Sequence, residues 1–235
     1  KTISEIAVKY PKFHFGDTKA YVLMHKGDID GAILLLEEEL ARVETRGNQG
    51  LTSALNYIRL AKCLDEKGQF DRARRHLLRA KDLGPNSPEI LYELSLVEEK
   101  LGNLEDAFTY AKKANQLSPR GPKQYSALLQ AGQTGLKLWK QNDSTGTLEL
   151  AHEYFTNAWK LAETSHSIGG LIETTLELYS RQKMPDLEEQ LKKLCDCAET
   201  TFDRNLYVMV YVNATYRQLG NKTKWLSTAN TVLSL

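Results

Sequence analysis

Residues 54–87 read ALNYIRLAKCLDEKGQFDRARRHLLRAKDLGPNS, and residues 88–121 read PEILYELSLVEEKLGNLEDAFTYAKKANQLSPRG. Laid one above the other without a gap, Tyr57 meets Leu91, Leu60 meets Leu94 and Ala61 meets Ser95. Further along, Gly68 meets Gly102, Phe70 meets Leu104, Ala73 meets Ala107, Ala80 meets Ala114, Leu83 meets Leu117 and Pro85 meets Pro119, at a constant offset of 34. Self-similarity at such a period marks a stacked-repeat architecture. Each copy carries apolar residues at i, i+3, i+4 and i+7, then a glycine for a tight turn, then a second helical pattern with alanine where two backbones must approach. Pro85 and Pro119 stop the second helix, while Ser87, Pro88 and Glu89 supply an N-cap, a first-turn proline and an early acid for the helix that follows. One such helix pair cannot bury its apolar face alone, so neighbours stack.

These residues resemble the tetratricopeptide repeat (TPR) family. The shared features are a large residue at repeat position 4, Leu then a small residue at 7 and 8, Gly at 15, Ala at 20 and 27, and Pro at 32. The resemblance implies an all-α fold, a right-handed α-α solenoid of about six TPR-like helix pairs, forming a single superhelical domain over residues 1–235. Residues 54–87 and 88–121 are the best copies; degenerate ones are expected at 13–46, 122–164, 167–200 and 204–235. In the first of these Ala20, Gly27, Ile29, Ala32 and Leu36 fit, but Glu39 takes the second alanine position. About seven extra residues then form a loop, expected at Glu44 to Leu51. The polar run Asn142 to Thr147 is expected to be the turn of the fourth pair, and Pro185 to open the second helix of the fifth. Thr2 to Lys9, followed by Pro11, reads as the closing turns of an earlier second helix, so the chain is expected to be part of a longer protein. At the other end, Trp225, Leu226, Ala229, Val232 and Leu233 fall within an arc of roughly 120° and are expected to form the packed face of a terminal helix.

Composition narrows the function. Lys plus Arg total 31 against 30 Asp plus Glu, so nothing favours nucleic acid as a partner. The apolar stretches Ala32–Leu36 and Tyr207–Val212 fall far short of the roughly 18 residues of a membrane span. Three Cys cannot build a disulfide framework and suit a reducing compartment, so a cytoplasmic setting is expected.

No catalytic constellation is visible, and no cofactor or metal site is expected. His152-Glu153 opens like a zinc-protease helix, but Thr156 stands where the second ligand belongs. Cys195 and Cys197 lie about 200° apart around a helix and cannot clasp one metal together; Cys63 reads as a packing residue. His14 and His25 have no third ligand. Gly132 with Gly135, and Gly169 with Gly170, lack the setting of a phosphate loop and read as close helix contacts. The basic run Arg72, Arg74, Arg75, Arg79 and Lys81 reads as a solvated face.

The resemblance implies instead that first helices line a concave groove that binds a partner peptide, helix or attached domain, through side chains at repeat positions 2, 5, 6, 9, 12 and 13. Those positions hold His14, Asp17, Tyr21 and His25; Ile58, Arg59, Lys62 and Glu66; and Tyr92, Glu93, Leu96 and Lys100. They continue with Lys123, Ser126, Gln130 and Lys137, then Tyr207, Tyr211, Ala214 and Arg217. The partner-binding set is expected to centre on Tyr21, His25, Arg59, Lys62, Tyr92, Glu93, Lys123, Gln130, Tyr207 and Tyr211. The carboxylate-clamp subclass is disfavoured, because its five key places hold Ile58, Lys62, Glu93, Lys123 and Ala127, of which only Lys123 agrees, and Glu93 repels a carboxylate. The asparagine-lined groove of the O-linked sugar transferase is also disfavoured, since Asn does not recur at position 6. A scaffold or adaptor is the leading expectation. The alternative is a ligand- or peptide-sensing arm of a multidomain signalling, regulatory or defence protein, with an attached effector domain.

Overall fold

The computed structural model describes residues 16–45 and 50–235, and the expected half-repeat at Thr2 to Pro11, like His14, lies outside them. Among the described residues every regular element is a helix, and there are twelve. The chain divides into two compact units, the first ending at Leu117 and the second beginning at Ser118.

In the first unit α1 (Gly16–His25) pairs with α2 (Ile29–Thr45), α3 (Leu51–Glu66) with α4 (Phe70–Leu83), and α5 (Pro88–Lys100) with α6 (Leu104–Leu117). Each pair stacks on the next, α2 against α3 and α4 against α5. The alanines at the expected close approaches, Ala73, Ala80, Ala107 and Ala114, are fully buried. They share the interior with Leu36, Leu60, Leu64, Leu77, Ile90 and Leu94, so small residues set the helix spacing and leucines fill what remains. Pro88 occupies the first turn of α5, and the Ser87 hydroxyl accepts from the Ile90 amide. The expected loop from Glu44 to Leu51 is shorter than its sequence suggests. Glu44 and Thr45 finish α2, where the Glu44 carboxylate accepts the Tyr57 hydroxyl at 2.7 Å, and Leu51 already opens α3; residues 46–49 are not among those described.

In the second unit α7 (Pro122–Asn142) pairs with α8 (Thr145–Leu161), α9 (Ser165–Gln182) with α10 (Pro185–Thr201), and α11 (Leu206–Gln218) with α12 (Lys222–Ser234). Its core gathers Leu148, Phe155, Ile168, Ile172, Leu191, Cys195, Val208 and Val212. Asn205 caps α11 by accepting from the Val208 amide at 3.1 Å, and Thr164 with Ser167 closes a reciprocal capping pair at the start of α9. On α12 the packed face is rotated from the expected arc. Leu226 and Leu233 are exposed and Thr228 is buried, because Asn213 donates from Nδ2 to the Thr228 hydroxyl at 2.9 Å and to the Trp225 carbonyl at 2.8 Å. With its hydroxyl satisfied, Thr228 can sit inside.

The turns explain why the fourth and fifth pairs look degenerate. Gly27, Gly68, Gly102 and Gly220 all take φ between +70° and +82°, the left-handed region that costs other residues about 1–2 kcal/mol. In α7 and α9 the helix runs to Asn142 and Gln182, and the left-handed residue follows at once as Asp143 (φ 55°) and Lys183 (φ 51°). The expected six-residue turn at Asn142–Thr147 therefore contracts to Asp143 and Ser144. Lys183→Gly should raise the melting temperature slightly, since Gly relieves the left-handed penalty but adds unfolded-state entropy, whereas Gly102→Ala should lower it by the equivalent of about 1 kcal/mol. Thermal unfolding of the two variants checks both signs.

The basic run on α4 is tied to its neighbours. Arg72 reaches Glu37 on α2 at 2.6 Å, Arg74 reaches Glu98 on α5 at 2.7 Å, and Lys81 donates to the Tyr110 hydroxyl at 3.4 Å.

Candidate functional site

On the first-helix side of the first unit, the expected groove residues meet one another. Lys62 on α3 lies 2.9 Å from Glu93 and 3.7 Å from Glu89 on α5, and one turn on, Lys100 lies 2.6 Å from Asp65. Burial pulls the Lys62 ammonium down, but Glu93 and then Glu89 outweigh it and hold it above the ordinary lysine range; burial raises the Glu93 carboxyl. Tyr92 is half-buried, its hydroxyl pushed up by burial and by Glu93. Arg59 is half-buried and donates to Asn56 Oδ1 at 3.3 Å. Tyr21 and His25 are exposed on α1 with ring centroids 4.2 Å apart, edge to face. Ile58 is an exception: it is 4% exposed and belongs to the core, because α3 is flanked by both α1 and α5 and their contact covers it.

In the second unit, Lys123 is exposed at the start of α7, but Gln130 is only 4% exposed and is not offered to a partner. Helix α7 is covered by α8 and α9, which takes this polar position into the interior. Farther along, a pocket of about 420 Å³ opens where three first helices come together. Helix α7 contributes Gln133, Leu136, Lys137 and Lys140; α9 contributes Ser165, His166 and Glu173; the start of α11 contributes Asn205, Tyr207 and Tyr211. Phe155 of α8 reaches through to the wall.

Glu173 organises this pocket. The residue is 5% exposed, yet Lys140 Nζ donates to its carboxylate at 2.6 Å, and Tyr207 and Tyr211 line the same pocket beside it. The Lys140 ion pair, brought from a neighbouring helix, offsets the cost of burying the charge. Both phenols are pushed well above the usual tyrosine range, chiefly by burial and then by Glu173, so they stay protonated. The two rings lie edge to face with centroids 5.2 Å apart. Glycines clear the room: a Cβ on Gly169 would fall 2.2 Å from the Tyr207 ring, and one on Gly170 would fall 2.3 Å from the Phe155 ring. Gly169 and Gly170 are thus close helix contacts, and they position two pocket side chains.

Sequence reasoning placed Tyr207 and Tyr211 here but missed Glu173, Lys140, His166 and Phe155. The available signal was Glu173 itself, a lone acid in the otherwise uncharged run from Ile168 to Leu176.

Behind the pocket, the His152 ring on α8 lies 3.3 Å from the Thr174 hydroxyl and 3.4 Å from that of Thr175, and burial lowers its pKa. The unfolded chain therefore takes up this proton first as pH falls. The stability from a neutral His152 is fully present above about pH 6.5 and is lost as the pH drops through the lower folded value. His76 in the first unit, lowered by burial and then by Arg72, adds a slope of the same sign there. Urea unfolding at pH 7 and pH 5 should show the second unit weakening on acidification, and less so in His152→Gln.

Among the described residues no group of His, Cys, Asp and Glu is arranged to hold a metal, and no helix is long and apolar enough to cross a membrane. A tetratricopeptide repeat family model matches residues 58–122. The chain is also similar to solved structures. PilW, a type IV pilus biogenesis factor, is 16% identical with a TM-score of 0.70, over 94% of this chain and 91% of that one. A tetratricopeptide repeat protein from Parabacteroides merdae ATCC 43184 is 16% identical with a TM-score of 0.68, over 92% and 77%. YrrB, a TPR protein with an unusual peptide-binding site, is 15% identical with a TM-score of 0.64, over 83% and 90%. Comparison with curated protein sequences finds no match. Residues 58–122 belong to the tetratricopeptide repeat family, and the chain has the all-α solenoid fold of TPR proteins.

Proposed function

We propose that this chain is a protein-interaction scaffold whose second unit receives a segment of a partner protein in the pocket among α7, α9 and α11. One observation carries the reading: the buried Glu173 carboxylate, paired with Lys140 and flanked by Tyr207 and Tyr211, lies in a recess of about 420 Å³ with both apolar and polar walls. Recesses of this size that need little rearrangement are favoured sites for an inserted side chain. Tyr207 and Tyr211 remain in the proposed contact set, together with Lys137, Lys140 and His166. Gln130 leaves it, being buried. The repeat family matched at residues 58–122 and the peptide-binding site named for YrrB support a peptide or helix as the occupant.

The test selects binders from a displayed peptide library against the full chain and maps them by hydrogen–deuterium exchange. Slowed exchange over residues 133–140, 165–173 and 205–211 is expected. Protection confined to the second helices, or failure to enrich any peptide, would contradict the proposal.

A further inference from the structure

We propose a second docking site in the second unit, a recess on the α10 face that takes an arginine side chain from a partner protein. This proposal does not rest on the pocket among the first helices. The recess has a volume of about 440 Å³ and is bounded by Trp159 of α8 and by one stripe of α10, in which Asp186, Glu189, Lys193, Leu194 and Cys197 follow helical spacing. Its composition suits a guanidinium on an apolar stem. Trp159, Leu194 and Cys197 make an apolar wall along which a three-carbon stem can lie. The Trp159 indole is held by an edge contact with Phe202, ring centroids 6.5 Å apart, so the wall is fixed in advance.

The charge at the mouth has the matching sign. Asp186 and Glu189 face one cation, Lys193, which lies 2.6 Å from Glu189. Glu189 is therefore partnered, whereas Asp186 is exposed and makes no ion pair with the described residues. A planar guanidinium stacks on an indole and donates to a carboxylate in a fork geometry, which a lysine ammonium does not reproduce.

The experiment uses the full chain and a short alanine peptide carrying two arginines, beside the same peptide with citrulline, which keeps the side-chain shape and loses its charge. Cys197 supplies the readout, being the half-exposed thiol on the recess wall while Cys63 and Cys195 are buried. The arginine peptide should slow iodoacetamide alkylation of Cys197 several-fold in a saturable way, and the citrulline peptide should not. Asp186→Asn should raise the concentration for half-protection about twofold to threefold, and Trp159→Leu should abolish protection. Should Asp186→Asn disturb the first turn of α10, Glu189→Gln should produce a smaller shift in the same direction. Equal protection by the two peptides, or an arginine effect indifferent to both carboxylate substitutions, would overturn the proposal.

Discussion

Replacing Arg74 with leucine is expected to destabilise the first unit by about 3 kcal/mol, far more than removing any other cation on α4. Arg74 Nε donates to Glu98 Oε1 at 2.7 Å, and Asn103 Nδ2 donates to the other carboxylate oxygen at 2.7 Å. The two ends of the ion pair are unequal, because the Glu98 side chain is 1% exposed and that of Arg74 is 40% exposed. Removing the carboxylate leaves a guanidinium that water can reach. Removing the guanidinium strands a buried carboxylate with one neutral donor, which is the costly direction. The double variant Arg74→Leu, Glu98→Leu should recover most of the loss, and Lys193→Ala, in an exposed pair, should change stability by less than about 0.5 kcal/mol. Urea unfolding of these variants decides the matter, and a loss below about 1 kcal/mol for Arg74→Leu would mean that Glu98 finds water.

The second large effect is expected at Phe155, where truncation to alanine should cost about 3–5 kcal/mol. Its ring is fully buried against Gly132 and Gly170, so the void left behind is walled by backbone that cannot easily collapse. The reciprocal change, Gly170→Ala, places a methyl group 2.3 Å from the same ring and should cost about 1–3 kcal/mol despite the better helix propensity of alanine. Combined, the two changes should cost less than their sum, because the new methyl enters the space the ring vacated. Strict additivity would show that Phe155 and Gly170 do not meet. Because Phe155 also walls the pocket, Phe155→Ala should loosen peptide binding as well as the fold.

Much of the fold is legible from residues 54–121, where the alanines, glycines and prolines recur at positions with a mechanical role. The glycine turns gave the helix boundaries in the regular pairs. Boundaries in the fourth pair were harder, since Asp143 performs the left-handed turn that glycine performs elsewhere, and its polar side chain reads as part of a longer loop. Lys183 hides the same turn in the fifth. The candidate site was legible only in part. Position within a repeat located Tyr207 and Tyr211, because α11 keeps the regular length. It misplaced Gln130, because α7 is enclosed by α8 and α9. Glu98 and Glu173 are not singled out by their repeat positions, and only the uncharged run around Glu173 marks either of them locally. Their partners Arg74 and Lys140 lie 24 and 33 residues away in sequence, and only the stacking of helices brings them within reach.

The pocket among α7, α9 and α11 is the centre of the functional account, and Tyr207 is its most direct probe. Tyr207 is 44% exposed and outside the packed core, so Tyr207→Ala should leave the fold intact by circular dichroism. Calorimetric titration of a library-selected peptide into the full chain should then show affinity falling about tenfold or more in this variant, with Tyr154→Ala on α8 as the unaffected control. Affinity unchanged in Tyr207→Ala, with the peptide still bound by a folded chain, would place the contact surface elsewhere and contradict the account.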